Sequence, residues 1–193
     1  VHFQDHSESF KRVDMNESML EKIKKAGVVG AGGAGFPTYV KLKCTAEYVI
    51  VNCAECEPLI KSDKYLMEQN AESIVEGLRC AMSCVSAKNG VLAIKYKNKS
   101  AVHAFEAAVS GKENVSIHLL DNYYPAGDEQ QIIYEVTKRT IPVGKLPSEV
   151  GCVVINAQTA YHIALAMEDK PVVRRNVTIT GAVHSPLTIT API

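Results

Sequence analysis

The chain has 193 residues, of which 47% are apolar and 22% charged, enough for one well-filled core or two small ones. Lys plus Arg equals Asp plus Glu at 21 each, and the zero formal charge excludes a protein built around phosphate neutralisation, so nucleic acid is not expected as a partner. Aromatic residues are 6% with no Trp, and six Cys in a chain of this size do not make a disulfide scaffold.

The opening VHFQDHSESFKR lacks the apolar core and cleavage site of a signal peptide, and no run approaches the roughly 20 apolar residues that cross a bilayer. Starting on Val1 and stopping at ITAPI, the chain is expected to be a piece of a longer cytoplasmic protein. Residues 1–15 are polar without a clean period and are expected to form an extended arm. A helix capped by Asn16 follows, with Met19, Leu20 and Ile23 on one face, and it stops at Gly27. Residues 47–52 predict a strand, CAECEP a loop, and Ser62 the cap of a helix through KYLMEQN. A second amphipathic helix is expected from Ser73 to Ser86 on Ile74, Leu78, Ala81 and Val85. Strands are predicted at 90–96, 115–120 and 152–156, with helices over SAVHAFEAAVSG, QQIIYEVTKR and QTAYHIALAMED. Short strands alternating with helices predict an α/β fold, a Rossmann-like and mostly parallel sheet flanked by helices. This body is assigned to residues 16–170; residues 171–193 are helix-free and rich in Val and Thr, and are assigned to closing strands of a second module.

Three loops carry candidate chemistry. Residues 30–35 read GAGGAG, in which Gly30, Gly32 and Gly35 satisfy G-x-G-x-x-G and Gly33 adds a fourth glycine. Bare N–H groups there suit a nucleotide or flavin phosphate, while a tight surface turn has the same composition. A helix rather than a strand precedes the loop and Phe36–Pro37 interrupts it, unlike the standard dinucleotide fingerprint. Lys41 is either a phosphate or ring-edge contact or a solvated lysine, and Phe36 either lies over a planar ligand or joins the core. Asn52, Glu55 and Glu57 follow a strand end, where ligands bind in open α/β sheets; the alternative is an acidic turn closed by Pro58. Cys53 and Cys56 form a CxxC that is either redox or metal chemistry or a pair of plain thiols, and Cys80 and Cys84 are expected to be buried free thiols. Tyr124, Gly127, Asp128 and Glu129 lie between a strand and a helix that Asp128 can cap, and Asn156 and Thr159 occupy a further strand-to-helix junction. Polar residues at three strand ends point to one converging site. No HExxH, G-x-S-x-G or Walker lysine is present, which excludes the corresponding hydrolases and kinases.

GVVGAGGAGFPTYVKL, VNCAECEP, YYPAGDEQQ and VVINAQTAYHIA, in this order, resemble the flavin- and NADH-binding region shared by the 51-kDa subunit of respiratory complex I and the C subunit of the Rnf electron-transport complex. The resemblance covers residues 27 to about 181 and is greatest to the Rnf C-subunit group, which includes relatives in proline reductase electron transfer and cobalamin reduction. It implies FMN held by Gly30, Gly32, Gly33, Lys41, Asn52 and Glu55, and NADH faced by Glu57 and Phe36. Tyr124, Gly127, Asp128 and Glu129 fall on its third motif, Asn156 and Thr159 on its fourth. It further implies an NADH dehydrogenase-like oxidoreductase with no catalytic acid or base. The 4Fe-4S clusters would lie outside this sequence, with ferredoxin or another electron-transfer protein as partner and a peripheral place on a membrane complex. The two other functions weighed are a soluble NADH-dependent protein feeding proline reductase or cobalamin reduction, and an assembly domain that has lost FMN. The final residues resemble the start of a truncated β-grasp (SLBB) module.

Overall fold

The computed structural model describes the backbone from Asp5 to Ile193 and side chains from Met15 onward. Four runs rich in β-branched residues form its main sheet: β1 (Tyr48–Cys53), β2 (Asn89–Lys95), β3 (Val115–Leu120) and β4 (Cys152–Asn156). All pairings are parallel in the order β3-β2-β1-β4. The chain therefore starts at an inner strand, steps outward twice, then returns to the other side of β1. That reversal makes the carboxyl ends of β1 and β4 a topological switch point, the place where open α/β sheets bind ligands. The register brings Asn52 directly beside Asn156 there.

Helices cover both faces. α1 (Asp5–Lys25), α3 (Ser62–Gln69), α4 (Ala71–Cys84), α5 (Lys99–Val109) and α7 (Ala157–Met167) contribute to the larger core, while α6 (Glu129–Thr137) covers the opposite face. Alternation along the strands sorts the two cores: Val49, Val51 and Cys53 face the first, Ile50 and Ala54 the second. Ile74, Leu78, Phe105 and Ile163 are wholly buried in the first core, each worth about 1.5–3 kcal/mol. A Cβ on Gly77 would lie 1.8 Å from the Ala160 carbonyl oxygen, so α4 and α7 pack backbone to backbone. This contact holds α7, which is capped by Asn156 and carries Thr159 in its first turn, against α4.

Beyond α7, β5 (Arg174–Ile179) and β6 (Leu187–Pro192) pair antiparallel as a smaller sheet, consistent with a truncated β-grasp-like element. The backbone of Lys61 donates to the Thr178 hydroxyl at 3.0 Å and ties this hairpin to the start of α3. Among the described residues no helix is long and apolar enough to cross a membrane.

Several boundaries differ from expectation. The extended arm is corrected from residue 5 onward, because α1 begins at Asp5; residues 1–4 lie outside the described residues. The stretch has no apolar period, yet it contains no Gly or Pro and many strong helix formers, so it continues the turn of the apolar segment that follows. Asn16 accordingly sits inside α1 and caps nothing. The helix expected from Ser73 starts at Ala71, and Ser62 is the first residue of α3 rather than its cap. A four-residue helix, α2 (Thr38–Lys41), follows Pro37, whose fixed φ suits the entry to a helix.

Candidate functional site

The glycine loop is closed at its base by an antiparallel bridge between Val29 and Pro37 and by the Gly30 N–H, which donates to Phe36 O at 2.8 Å. Gly35 N–H donates back to Gly30 O at 3.2 Å. Gly33 and Gly35 adopt φ of +114° and +63°, the left-handed half of the map that side chains avoid. The Ala31 N–H donates to the Thr159 hydroxyl on α7 at 2.9 Å, and the Arg175 guanidinium on β5 donates to the Ala31 carbonyl at 3.3 Å. Among the described residues the N–H groups of Gly32, Gly33 and Ala34 meet no protein acceptor. Gly32 and Ala34 border the first cleft, where free backbone donors suit an anion.

Two clefts meet over Gly32, Asn52 and Asn156 at the switch point. The first, about 250 Å3, is lined by Gly30, Gly32, Phe36, Thr38, Lys41, Asn52, Glu129, Asn156 and Thr159. Thr38 is 1% exposed and its hydroxyl has no partner, a buried polar atom facing a cleft and suited to a ligand. Lys41 Nζ lies 3.1 Å from Glu129 Oε1, a half-exposed pair that directs the lysine across the cleft and adds little stability. Phe36 is 50% exposed, so its ring is available to a planar ligand and is no part of the core.

The second cleft, about 740 Å3, is lined by Glu55, Glu57, Asp63, Tyr124, Gly127, Asp128 and Arg175, among others. Asn52 braces it: its amide donates to Gly127 O at 2.8 Å while its carbonyl oxygen accepts from Ala54 N–H at 3.0 Å. Asn156 caps α7 by accepting from Gln158 N–H at 2.8 Å, and its amide donates to Asp63 at 2.6 Å. Asp128 caps α6 by accepting from Gln130 and Gln131 N–H at 3.0 and 3.1 Å. Burial, then the neighbouring Asp63 charge, raises the Glu55 carboxyl to about 7. Asp63 is itself pushed up by burial, and the Asn156 hydrogen bond and the Arg175 charge pull it part of the way back.

All fourteen sequence candidates gather around these clefts except Gly33, which occupies the exposed tip of the loop. The CxxC cysteines point apart. Cys53 is buried in the first core, whereas Cys56 Sγ accepts from Gly127 N–H at 3.0 Å on the second cleft. Thr38, Asp63 and Arg175 were not anticipated. Thr38 had only its place after Pro37 as a signal, and the other two are brought in by elements distant in sequence.

Residues 23–165 match the family model of the Nuo51 FMN-binding domain. Cobalamin reductase PduS of Salmonella typhimurium is 45% identical over 178 residues, which cover 92% of this chain and 39% of that protein. The Citrobacter freundii cobalamin reductase PduS is 43% identical over the same shares. The Acetobacterium woodii Na+-translocating ferredoxin:NAD+ oxidoreductase complex has a C subunit that is 38% identical over 183 residues, 91% of this chain and 41% of that protein. The chain thus spans about two fifths of the length of these curated relatives. The crystal structure of an NAD+-reducing NiFe hydrogenase in the air-oxidized state shares the fold, with a TM-score of 0.75 at 23% identity over 92% of this chain and 36% of that one.

Proposed function

The chain belongs to the family of Nuo51 FMN-binding domains, and on that premise we propose that it holds FMN in the switch-point clefts, within a longer oxidoreductase that moves electrons between NAD(H) and an acceptor. The observation that carries this reading is one cleft bordered by the N–H groups of Gly32 and Ala34 without acceptors, the unpartnered hydroxyl of buried Thr38 and the Lys41 ammonium. A donor set of this kind fits a flavin nucleotide, which offers carbonyl and phosphate oxygens. When bound, FMN exchanges a hydride with the nicotinamide and electrons singly with other carriers.

The residues of the chain bind, orient and tune. Gly32, Gly33 and Ala34 donate backbone N–H groups, and Gly30 lets the loop approach closely. Thr159 holds the loop through Ala31, and Thr38 donates its hydroxyl. Lys41 sets a positive charge beside electron-rich atoms, with Glu129 limiting its swing. Asn52 and Asn156 fix the floor between the clefts, and Gly127 and Asp128 hold the facing wall. Phe36, Glu57 and Tyr124 are exposed at the rims and suited to the nicotinamide nucleotide, while Glu55 keeps a proton to near neutrality beside it. No side chain is needed as catalytic acid or base.

Cobalamin reduction is the favoured context, because identity to cobalamin reductase PduS, at 45%, exceeds the 38% to the ion-translocating complex. In this reading 4Fe-4S clusters and the docking surface for a ferredoxin or other electron-transfer protein belong to the rest of the longer protein or to its partners. The test is to reconstitute the full-length protein with FMN and add NADH, offering cobalamin and ferredoxin as alternative acceptors. Flavin retention with NADH-driven cobalamin reduction supports the reading; preference for ferredoxin supports the second context, a peripheral component of an Rnf-like complex. Failure to retain any flavin would favour an assembly domain without cofactor.

A further inference from the structure

The hairpin β5–β6 lies beyond the segment matched by the family model, which ends at residue 165, yet one of its side chains enters the site. Arg175 stands on β5 opposite Ala191, is half-buried, and lines the second cleft together with Ala31, Gly32 and Asn156. Its Nη2 donates to the Ala31 carbonyl at 3.3 Å. That is one of the five N–H donors of a guanidinium. Among the described residues Arg175 forms no salt bridge. Asp63 is near enough to feel its charge, but the Asp63 carboxylate is already engaged by the Asn156 amide at 2.6 Å.

Of the described residues lining the two clefts, Lys41 and Arg175 are the cations. Lys41 lies in the first cleft and is paired with Glu129 at 3.1 Å, whereas Arg175 lies in the second. The second cleft otherwise carries Glu55, Glu57, Asp63 and Asp128, so an anion placed away from Arg175 would face carboxylates. The corner shared by Arg175 and the glycine loop is where a positive fork and the open N–H group of Gly32 border one cleft. A planar guanidinium with free donors binds phosphate oxygens in a forked geometry, which a lysine does not reproduce.

We propose that Arg175 is a specificity-determining residue that binds the phosphate of the flavin nucleotide, so that the hairpin selects FMN over riboflavin. This rests on the flavin reading above. It makes two parts of the chain jointly responsible for the cofactor: the glycine loop supplies neutral donors and β5 supplies the charge. Binding of FMN accordingly links the hairpin to the parallel sheet.

The test is titration of the full-length apoprotein with FMN, riboflavin and ADP-ribose, followed by flavin fluorescence and by competition. Wild type is expected to bind FMN roughly tenfold or more tightly than riboflavin. Arg175→Gln is expected to cut that preference severalfold while riboflavin affinity stays within about twofold, since the charged phosphate contact is lost and an amide can still donate to the Ala31 carbonyl. Arg175→Lys, which keeps the charge and guards against a misfolded glutamine variant, is expected to fall between the two. Equal weakening of FMN and riboflavin would overturn the proposal in favour of a purely structural clamp on Ala31. Unchanged FMN affinity would overturn it too, and loss confined to ADP-ribose would reassign the contact to a dinucleotide phosphate. A wild type that binds riboflavin as tightly as FMN refutes this inference alone; one that binds neither refutes the flavin reading with it.

Discussion

Gly127 joins the two halves of the second cleft, and Gly127→Ala tests how rigid that junction is. A Cβ there would stand 2.7 Å from the Ala54 carbonyl oxygen and 2.8 Å from Cys56 Sγ, both inside normal contact distance. The Ala54 carbonyl is backbone and cannot rotate aside as the Cys56 thiol can, so the loop over Ala54–Cys56 must move away from the loop before α6. Two hydrogen bonds span that gap, Asn52 Nδ2 to Gly127 O at 2.8 Å and Gly127 N–H to Cys56 Sγ at 3.0 Å. Net hydrogen bonds are worth about 1 kcal/mol each, and overpacking of a closed site costs about 1–3 kcal/mol. A loss of about 2 kcal/mol follows, which for a chain of this size lowers Tm by roughly 4–8 °C. The assay is thermal and urea unfolding without flavin, with the urea midpoint falling at constant slope. Adding Cys56→Ala relieves the sulfur contact and leaves the carbonyl contact, so the double variant recovers only part of the loss. An unchanged Tm in Gly127→Ala, or full recovery in the double variant, would refute a rigid carbonyl contact.

The remaining expectations concern the loop, the rim and pH. Thr159→Val leaves the Ala31 N–H without its acceptor, at a cost of about 1–3 kcal/mol to the loop, so FMN affinity falls roughly tenfold in a titration; unchanged affinity would remove Thr159 from the anchoring role. Glu57→Gln alters NADH use more than FMN retention in steady-state and equilibrium measurements, and equal losses in both would contradict its place at the rim. Glu55 keeps its proton to about pH 7 when folded and loses it near 4.5 when unfolded, so the unfolded state binds fewer protons between these values. Stability contributed at this position therefore falls as pH rises from about 4.5 through 7, and Glu55→Gln flattens that decline in a series of melts. Identical pH slopes in wild type and variant would place the carboxyl in water.

Much of the fold is legible in the sequence because its signals are short-ranged. The strand at 152–156 ends where its run of β-branched residues ends, and Asp128 caps α6 because it directly precedes the helix. The first helix starts earlier than its sequence suggests, since helix propensity without an apolar stripe leaves no period to detect. The site is legible as a set of loops, because glycines and asparagines at strand ends show in the sequence. Its wiring is not.

Size, charge balance, the α/β alternation and the four motifs follow from the sequence itself, since each depends on composition or on neighbours a few residues apart. Tertiary structure alone decided which residues meet. The Ala31 peptide is held by Thr159, 128 positions away, and by Arg175, 144 away, and Asn156 reaches Asp63 across 93. It also separated the CxxC, because adjacent turns of a strand-end loop send Cys53 to one side of the sheet and Cys56 to the other cleft. Contacts at such separations arise from the strand order β3-β2-β1-β4 and from the close approach of α4 and α7, which no local pattern encodes.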